Sequence, residues 1–408
     1  MTNIRGKFCA AVAILAMVPT LVMGAAAAST PRSSPRATAA GAPFKVGMVC
    51  TCSGTFGAAF GGGAAGFQAW AKTIDASGGV GGRQIELTVK DDAGNPGQAS
   101  TAAKSLIDDG NVVIIDMSLV SGAWNQLIQD AKVPVIAGPT AVQNPYTFWV
   151  GQTTGAGSGN ESLAKIAKSA GVKKLGQLYC AESPSCTEGA SQLKSDMQKF
   201  GLSVVYQAEF ASNAANYTSQ CIAAQNAGVQ MLLVGSQPST ISKVAADCST
   251  QGFKPKYQIG VIQWSPAMLS APGLEDGTYG AAGNYLFFDK KQPEIARMQK
   301  AMKKYYPDVI SADNADTPSE LVVTMWAGGV LLEKLLPQIS SDASKPITRQ
   351  QFYDGMYTLK NETLNGLSSP ITYVKGSNNT LSCWFTAHFK GGKYAVDNGG
   401  KYTCPTAA

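Results

Sequence analysis

Residues 44–92 read FKVGMVCTCSGTFGAAFGGGAAGFQAWAKTIDASGGVGGRQIELTVKDD. The opening run Val46-Gly47-Met48-Val49 is short and apolar, as a strand covered on both faces must be. Phe67, Trp70, Ala71 and Ile74 then recur at helical spacing, which predicts a helix over Gly66 to Ala76. Gly78-Gly79-Val80-Gly81-Gly82 stops that helix and turns the chain. Gln84 to Lys90 alternates apolar and polar, the period of a strand, and Asp91-Asp92 follows at its C-terminal end. Strand, helix, turn and strand in that order predict a unit of parallel sheet.

The same rhythm extends outward. Ala99 to Ile107 predicts a helix and Val112 to Ile115 a buried strand. Ser121 is placed to cap a helix running to Ala131, and Val133 to Ile136 predicts a third strand. After a Gly/Thr/Ser-rich crossover, Gly151 to Gly159, the alternation resumes. Strands are expected at Leu175–Tyr179, Val204–Phe210, Met231–Val234 and Tyr257–Val261. Helices are expected at Thr187–Phe200, Ser219–Ala227 and Ile241–Gln251. A helical block, Pro318 to Leu336, precedes a polar, β-rich C-terminal stretch. This is an α/β chain, whose ligands bind outside the carboxyl ends of the parallel strands.

The chain has 408 residues, 45% hydrophobic and 15% charged, a composition that folds rather than stays disordered. Beyond about 250–300 residues a single core splits, so two lobes are expected. The formal net charge is +6, or +4 (6 − 2) without Arg5 and Lys7 of the leader. That excess is scattered, with no basic run interleaved with aromatics, which argues against nucleic acid as a partner. Arg5 and Lys7, the apolar run Phe8 to Met23, and the small residues that follow to Ser29 predict a secretory signal peptide over residues 1–28. The apolar run is shorter than the roughly 20 residues that span a bilayer. Residues 29–43, rich in Ser, Thr, Pro, Ala and Arg, read as a disordered tether. The mature protein is thus expected in the periplasm, in the cell envelope or outside the cell.

Cys9 belongs to the leader, which leaves eight cysteines, an even number that suits disulfides in an exported chain. Proximity favours Cys180–Cys186, Cys221–Cys248 and Cys383–Cys404, and leaves Cys50 and Cys52. A bridge between those two closes a very small ring, so strain and easy reduction are expected there.

The N-terminal segment also carries a family pattern. Its parts are Ser53-Gly54-Thr55, Phe60-Gly61, Gly66-Phe67-Gln68-Ala69, the run Asp75 to Arg83, Ile85-Glu86-Leu87, Asp91-Asp92 and Asn95-Pro96. With them the chain resembles the leucine/isoleucine/valine-binding proteins of ABC transporters, which have the type I periplasmic binding fold. The likeness runs from about Phe44 to at least Leu336 and is most specific from Ser53 to Asp92. It implies two Rossmann-like lobes joined by three crossovers, residues 44–152 plus 281–368 and residues 153–280 plus 369–408, hinged about a ligand cleft. It implies a monomer that captures a small molecule for a membrane permease of an ABC importer, with no cofactor and no chemistry on the solute.

The resemblance also implies ligand-binding residues. Ser121 matches a loop that supplies a hydroxyl and an N–H to a ligand carboxylate, which suits a helix N-terminus. The loop Ala137-Gly138-Pro139-Thr140 matches one that offers a backbone carbonyl and a threonine hydroxyl, and Phe60 matches an aromatic lining the cleft. In the second lobe Ser185, beside Cys186, stands where the family places a stacking aromatic, and Ser236 follows the strand Met231–Val234. Gln263-Trp264 stands where amino-acid binders place an acid for the ligand ammonium. A neutral Gln263 is no counter-charge for a buried ammonium. The expected ligand is therefore a small carboxylate or a neutral, partly apolar compound, with Trp264 packed on it and Gln263 donating a hydrogen bond.

Enzymatic readings find little support. His388 is the single histidine, in the strand-like Phe385-Thr386-Ala387-His388-Phe389, and no G-x-S-x-G accompanies it. Gly61-Gly62-Gly63 lacks the Lys-Ser/Thr of a phosphate loop and reads as a flexible approach to the first helix. Asp91 and Asp92 point to opposite faces, and one histidine with bridged cysteines leaves no zinc site. Two alternatives remain open: a sensory or scaffold protein of the same fold, and a thiol-disulfide protein using Cys50 and Cys52.

Overall fold

The structure, a computed structural model, describes residues 41–54, 56–151, 158–181, 184–310, 319–376 and 381–405. The expected signal peptide, all of the tether but residues 41–43, Thr55 and most of the first crossover lie outside them. So do the side chains of Ser185 and Cys186.

The first sheet is built by β1 (Phe44–Cys50), α1 (Gly57–Asp75), β2 (Ile85–Asp91), α2 (Pro96–Asp108), β3 (Val113–Met117), α3 (Asn125–Ala131), β4 (Val135–Ile136) and β5 (Thr147–Phe148). Its strands run parallel in the order β2-β1-β3-β4-β5. The second half continues with α4 (Ser158–Ser169), β6 (Lys174–Cys180), α5 (Pro184–Lys199), β7 (Ser203–Phe210), α6 (Thr218–Asn226), β8 (Met231–Gly235), α7 (Pro238–Thr250), β9 (Lys256–Gln258) and β10 (Thr278–Ala282). The chain then forms α8 (Pro293–Tyr305), α9 (Ser319–Ile339) and α10 (Arg349–Met356) before β11 (Phe385–Lys390) and β12 (Lys393–Val396). The second sheet has the order β12-β11-β10-β9-β8-β6-β7, parallel from β10 to β7, with β11 antiparallel to both of its neighbours, β10 and β12.

The family pattern has a physical reading. Gly79 has φ +82°, and a Cβ there would stand 1.9 Å from Arg83 O, so only glycine closes the Val80–Arg83 turn. Arg83 is buried, and its guanidinium donates to Ala42 O, to Ser340 Oγ and to Asp342 O. Asp75 accepts from the amide of Ile85, which fixes where β2 begins. Asn95 caps α2 through Gln98 N, and Pro96 follows at the first helical position.

The glycine run corrects one expectation. Gly61-Gly62-Gly63 is not an approach to the first helix but lies inside it, because α1 starts at Gly57. The small residues let α9 pack close. A Cβ on Gly66 would stand 2.4 Å from Val322 O. The helices α8 and α9 thereby join the first half: Trp70 of α1 donates to Glu333 of α9, which also takes Arg297 of α8 at 2.9 Å. Phe352 of α10 meets Phe44 of β1 at 5.7 Å. Sheet membership, together with this packing of α8, α9 and α10, makes the chain cross between the two halves three times.

Other elements fall where the periodicity put them, with shifted ends. One expected strand, Tyr257–Val261, is shorter: β9 ends at Gln258, and Val261–Gln263 forms a 3-10 turn.

Candidate functional site

The loops at the carboxyl ends of β1, β3 and β4 converge on two buried carboxylates. Asp92, just past β2, accepts from Thr51 Oγ1 at 2.7 Å, from Gly94 N at 2.8 Å and from Ser118 Oγ at 2.5 Å. Thr51 Oγ1 in turn accepts from Leu119 N at 2.8 Å. Asp116, in β3, accepts from Ser118 N at 3.0 Å and from Ser121 Oγ at 2.9 Å. Burial is the main influence on Asp116 and raises its pKa to about 7; the hydrogen bonds from Ser118 and Ser121 oppose it and the nearby Asp92 adds to it. Asp91, by contrast, faces outward and accepts from Cys52 N and Ala93 N, so the two adjacent acids do not share a site.

These bonds correct the role of Ser121. It heads a short 3-10 turn, Ser121–Trp124, that leads into the seven-residue α3, and it makes no N-cap bond. Its hydroxyl goes to Asp116 and to Ser118 O, and it lies 3.3 Å from Thr140 Oγ1. Thr140 donates to the same Ser118 O. Ser121 and Thr140 are therefore brought together, 19 residues apart in sequence, as one hydroxyl pair. Ala137, directly after β4, is buried and its N–H donates to Phe148 O at 2.9 Å. Phe60 sits in the first turns of α1 and is packed in the core at 7% exposure.

The second sheet contributes its own strand-end loops. Ser236, after β8, pairs its hydroxyl with that of Ser212 at 2.9 Å, and its carbonyl accepts from Gln263 Nε2 at 2.7 Å. Gln263 is thus held by its own half of the molecule. Trp264 is fully buried, its N–H donates to Ile259 O at 3.0 Å, and its ring lies parallel to Tyr394 and meets Phe389 edge-on. The expected packing of Trp264 on a ligand is corrected by that enclosure: it is a core tryptophan. Ile262, one residue before Gln263, is the side chain that reaches across, facing Ala137, Gly138 and Pro139 over a cavity of about 40 Å³.

The same cavity is lined by a knot that sequence reasoning missed, made of Gly283, Asn284, Glu320 and Thr324. Asn284 is fully buried, and its Nδ2 donates to Val150 O at 2.8 Å and to Leu367 O at 3.3 Å. Its Oδ1 accepts from Thr324 Oγ1 at 2.9 Å, and its backbone pairs with Ser368. One side chain therefore binds all three crossing segments. Glu320, in the first turn of α9, accepts from Gly283 N at 2.7 Å. Burial raises the Glu320 pKa to about 8, against the pull of those amide bonds. The available signal was an acid at the head of a helix that runs apolar from Leu321 to Leu332 but for Thr324, and its partners are distant in sequence.

The cysteines are paired as Cys50–Cys52, Cys221–Cys248 and Cys383–Cys404. Cys180 is also bridged, and the side chain of its expected partner Cys186 lies outside the described residues. His388 lies on β11 with Nδ1 2.7 Å from Asp397 Oδ1. Among the described residues no helix is long and apolar enough to cross a membrane.

Residues 43–393 match the family described as periplasmic binding protein, so the chain belongs to that family of extracytoplasmic solute-binding proteins, of the type I, leucine/isoleucine/valine-binding-like fold. A search of curated proteins finds no match. Solved structures agree on the fold. A fatty acid ABC transporter substrate-binding protein from Thermomonospora curvata is 20% identical, with 87% of this chain and 91% of that one covered and a TM-score of 0.71. A solute-binding protein of an ABC transporter from R. palustris, in complex with benzoate, is 18% identical over 89% and 98% of the two chains, TM-score 0.68. A putative branched-chain amino acid ABC transporter protein from Rhodospirillum rubrum is 16% identical over 87% and 99%, TM-score 0.62.

Proposed function

We propose that the protein captures a small organic solute between two lobes, residues 44–152 plus 281–368 and residues 153–280 plus 369–408, and delivers it to the permease of an ABC importer. The observation that carries this reading is the convergence of two hydroxyl-bearing loops at the ends of β3 and β4, with Ile262 of the other sheet facing them. Ligands of parallel sheets bind at such strand ends. Ser121, Thr140 and the Ala137 carbonyl would receive the polar end of the ligand. Ser236, Gln263 and Ser185 would line the opposite loop, and Phe60 would back the first from within α1. Asn284 serves as the hinge pin on which the lobes close.

The ligand is a small carboxylate or a neutral, partly apolar compound. Gln263 is uncharged, Glu320 is held neutral at pH 7 by burial, and the carboxylates of Asp92 and Asp116 are engaged by the hydroxyls of Thr51, Ser118 and Ser121, so none of these acids is offered to a ligand ammonium. Two relatives named for a fatty acid and for benzoate support a carboxylate. A thermal-shift panel of amino acids, carboxylates, amides, polyamines and sugars tests this. A ligand at 100 times its Kd adds about 2.7 kcal/mol, a rise of a few degrees in a chain of this size. Stabilisation by aliphatic amino acids alone would discard the carboxylate reading.

A further inference from the structure

A second cavity, of about 640 Å³, is lined by a different set of residues from the one at the strand-end loops. That volume is typical of small-molecule sites. One wall is α8, which presents Ala296, Gln299, Lys300 and Lys303. The facing wall is aromatic. Phe288 stacks on Tyr394 of β12 at 4.7 Å and 19°, and Phe287 meets the same ring edge-on at 5.1 Å. Gln299 donates to Phe287 O at 2.6 Å, which ties the two walls together and leaves the space between them to be filled.

The charges around it are one-sided. Lys290, Lys300 and Lys303 line the cavity with exposed head groups, and no carboxylate lines it among the described residues. None of the three ammonium groups is in an ion pair among the described residues. Lys300 and Lys303 lie three residues apart on one helix, so they stand side by side. Lysine stems lie along apolar surface while their heads stay in water. An apolar chamber under a cationic rim selects an anion with an apolar tail. A small inorganic anion would leave the aromatic wall uncovered, and a cation would be repelled by the rim.

We propose that this groove is a second ligand site, which binds a monocarboxylic acid with its aliphatic or aromatic tail on Phe287, Phe288 and Tyr394 and its carboxylate at Lys300 and Lys303. It shares no lining residue with the cavity at the strand-end loops. The test is calorimetric titration of the mature protein with octanoate and with 3-phenylpropanoate, with octylammonium as the chain of opposite charge. At least one acid is expected to bind, and octylammonium at least tenfold more weakly. The K300E/K303E double variant changes only exposed side chains and is expected to weaken the acid at least tenfold with an unchanged melting temperature. A296W, which fills the groove, is expected to weaken it as much. Wild-type affinity in either variant overturns the proposal, as does the absence of binding by both acids or equal binding of octylammonium.

Discussion

Replacing Glu320 with glutamine removes one titrating group from the interior while keeping the oxygen that accepts from Gly283 N. Burial raises the Glu320 pKa from 4.5 to about 8. Below pH 4.5 the carboxyl is protonated in both the folded and the unfolded chain, and no pH term arises. Between pH 4.5 and about 8 the unfolded chain has released the proton while the folded chain holds it, so stability falls as pH rises. The loss is about 1.4 kcal/mol per pH unit, on the order of 5 kcal/mol across the window, and it levels off above it. Glu320→Gln has no such term. Urea denaturation of both proteins at pH 5, 6, 7, 8 and 9 isolates it, because every other titrating group is common to the pair. The stability of the variant minus that of the wild type is expected to climb through that range and flatten beyond pH 8. A difference that stays level from pH 5 to 8 would refute the assignment of a buried, neutral carboxyl beside Gly283.

Asn284→Ala should lower stability by about 2–4 kcal/mol in urea melts, since it strips the carbonyls of Val150 and Leu367 of a buried donor; a change under 1 kcal/mol would contradict the knot. Gly66→Ala should destabilise by roughly 1–3 kcal/mol because α9 backbone occupies the space of the new methyl, visible as a lower melting temperature. Replacing Cys221 and Cys248 together by serine opens a loop of 27 residues' separation and should remove about 3–4 kcal/mol, measured against the oxidised wild type. Trp264→Phe should lower stability yet leave the affinity for a cleft ligand within about twofold, because the ring is enclosed by Phe389 and Tyr394; a tenfold loss of affinity with stability intact would place it at the ligand after all.

Local pattern made the fold legible. The periods of 2 and 3.6 residues place β1, α1 and β2, and the Asp75-to-Arg83 run answers two local demands, a positive φ at Gly79 and a strand start set by Asp75, while the partners of the buried Arg83 guanidinium, Ser340 and Asp342, lie far along the chain. Hydroxyls and glycines were harder to read. The sequence puts Ser121 before a helix, where an N-cap is the local solution, but the tertiary fold brings Asp116 and Thr140 to the same hydroxyl and takes it. Gly61 to Gly63 look like a loop by propensity, yet they lie inside α1, where Gly61 packs on the Cys52 backbone and Gly63 on Met117 and on Leu321 of α9.

Strand order, the enclosure of Trp264 and the bonds of Asn284 all depend on residues distant in sequence. Asn284 meets Val150 and Leu367 across separations of 134 and 83 residues, and no periodicity encodes a contact of that kind. The sequence by itself determined the alternating α/β architecture, the family and the positions of the strand-end loops, since these follow from short-range spacing. Only the tertiary structure decided which hydroxyls pair, which tryptophan is core and where a carboxyl is held neutral, because each of those is set by desolvation among groups that the chain brings together only on folding.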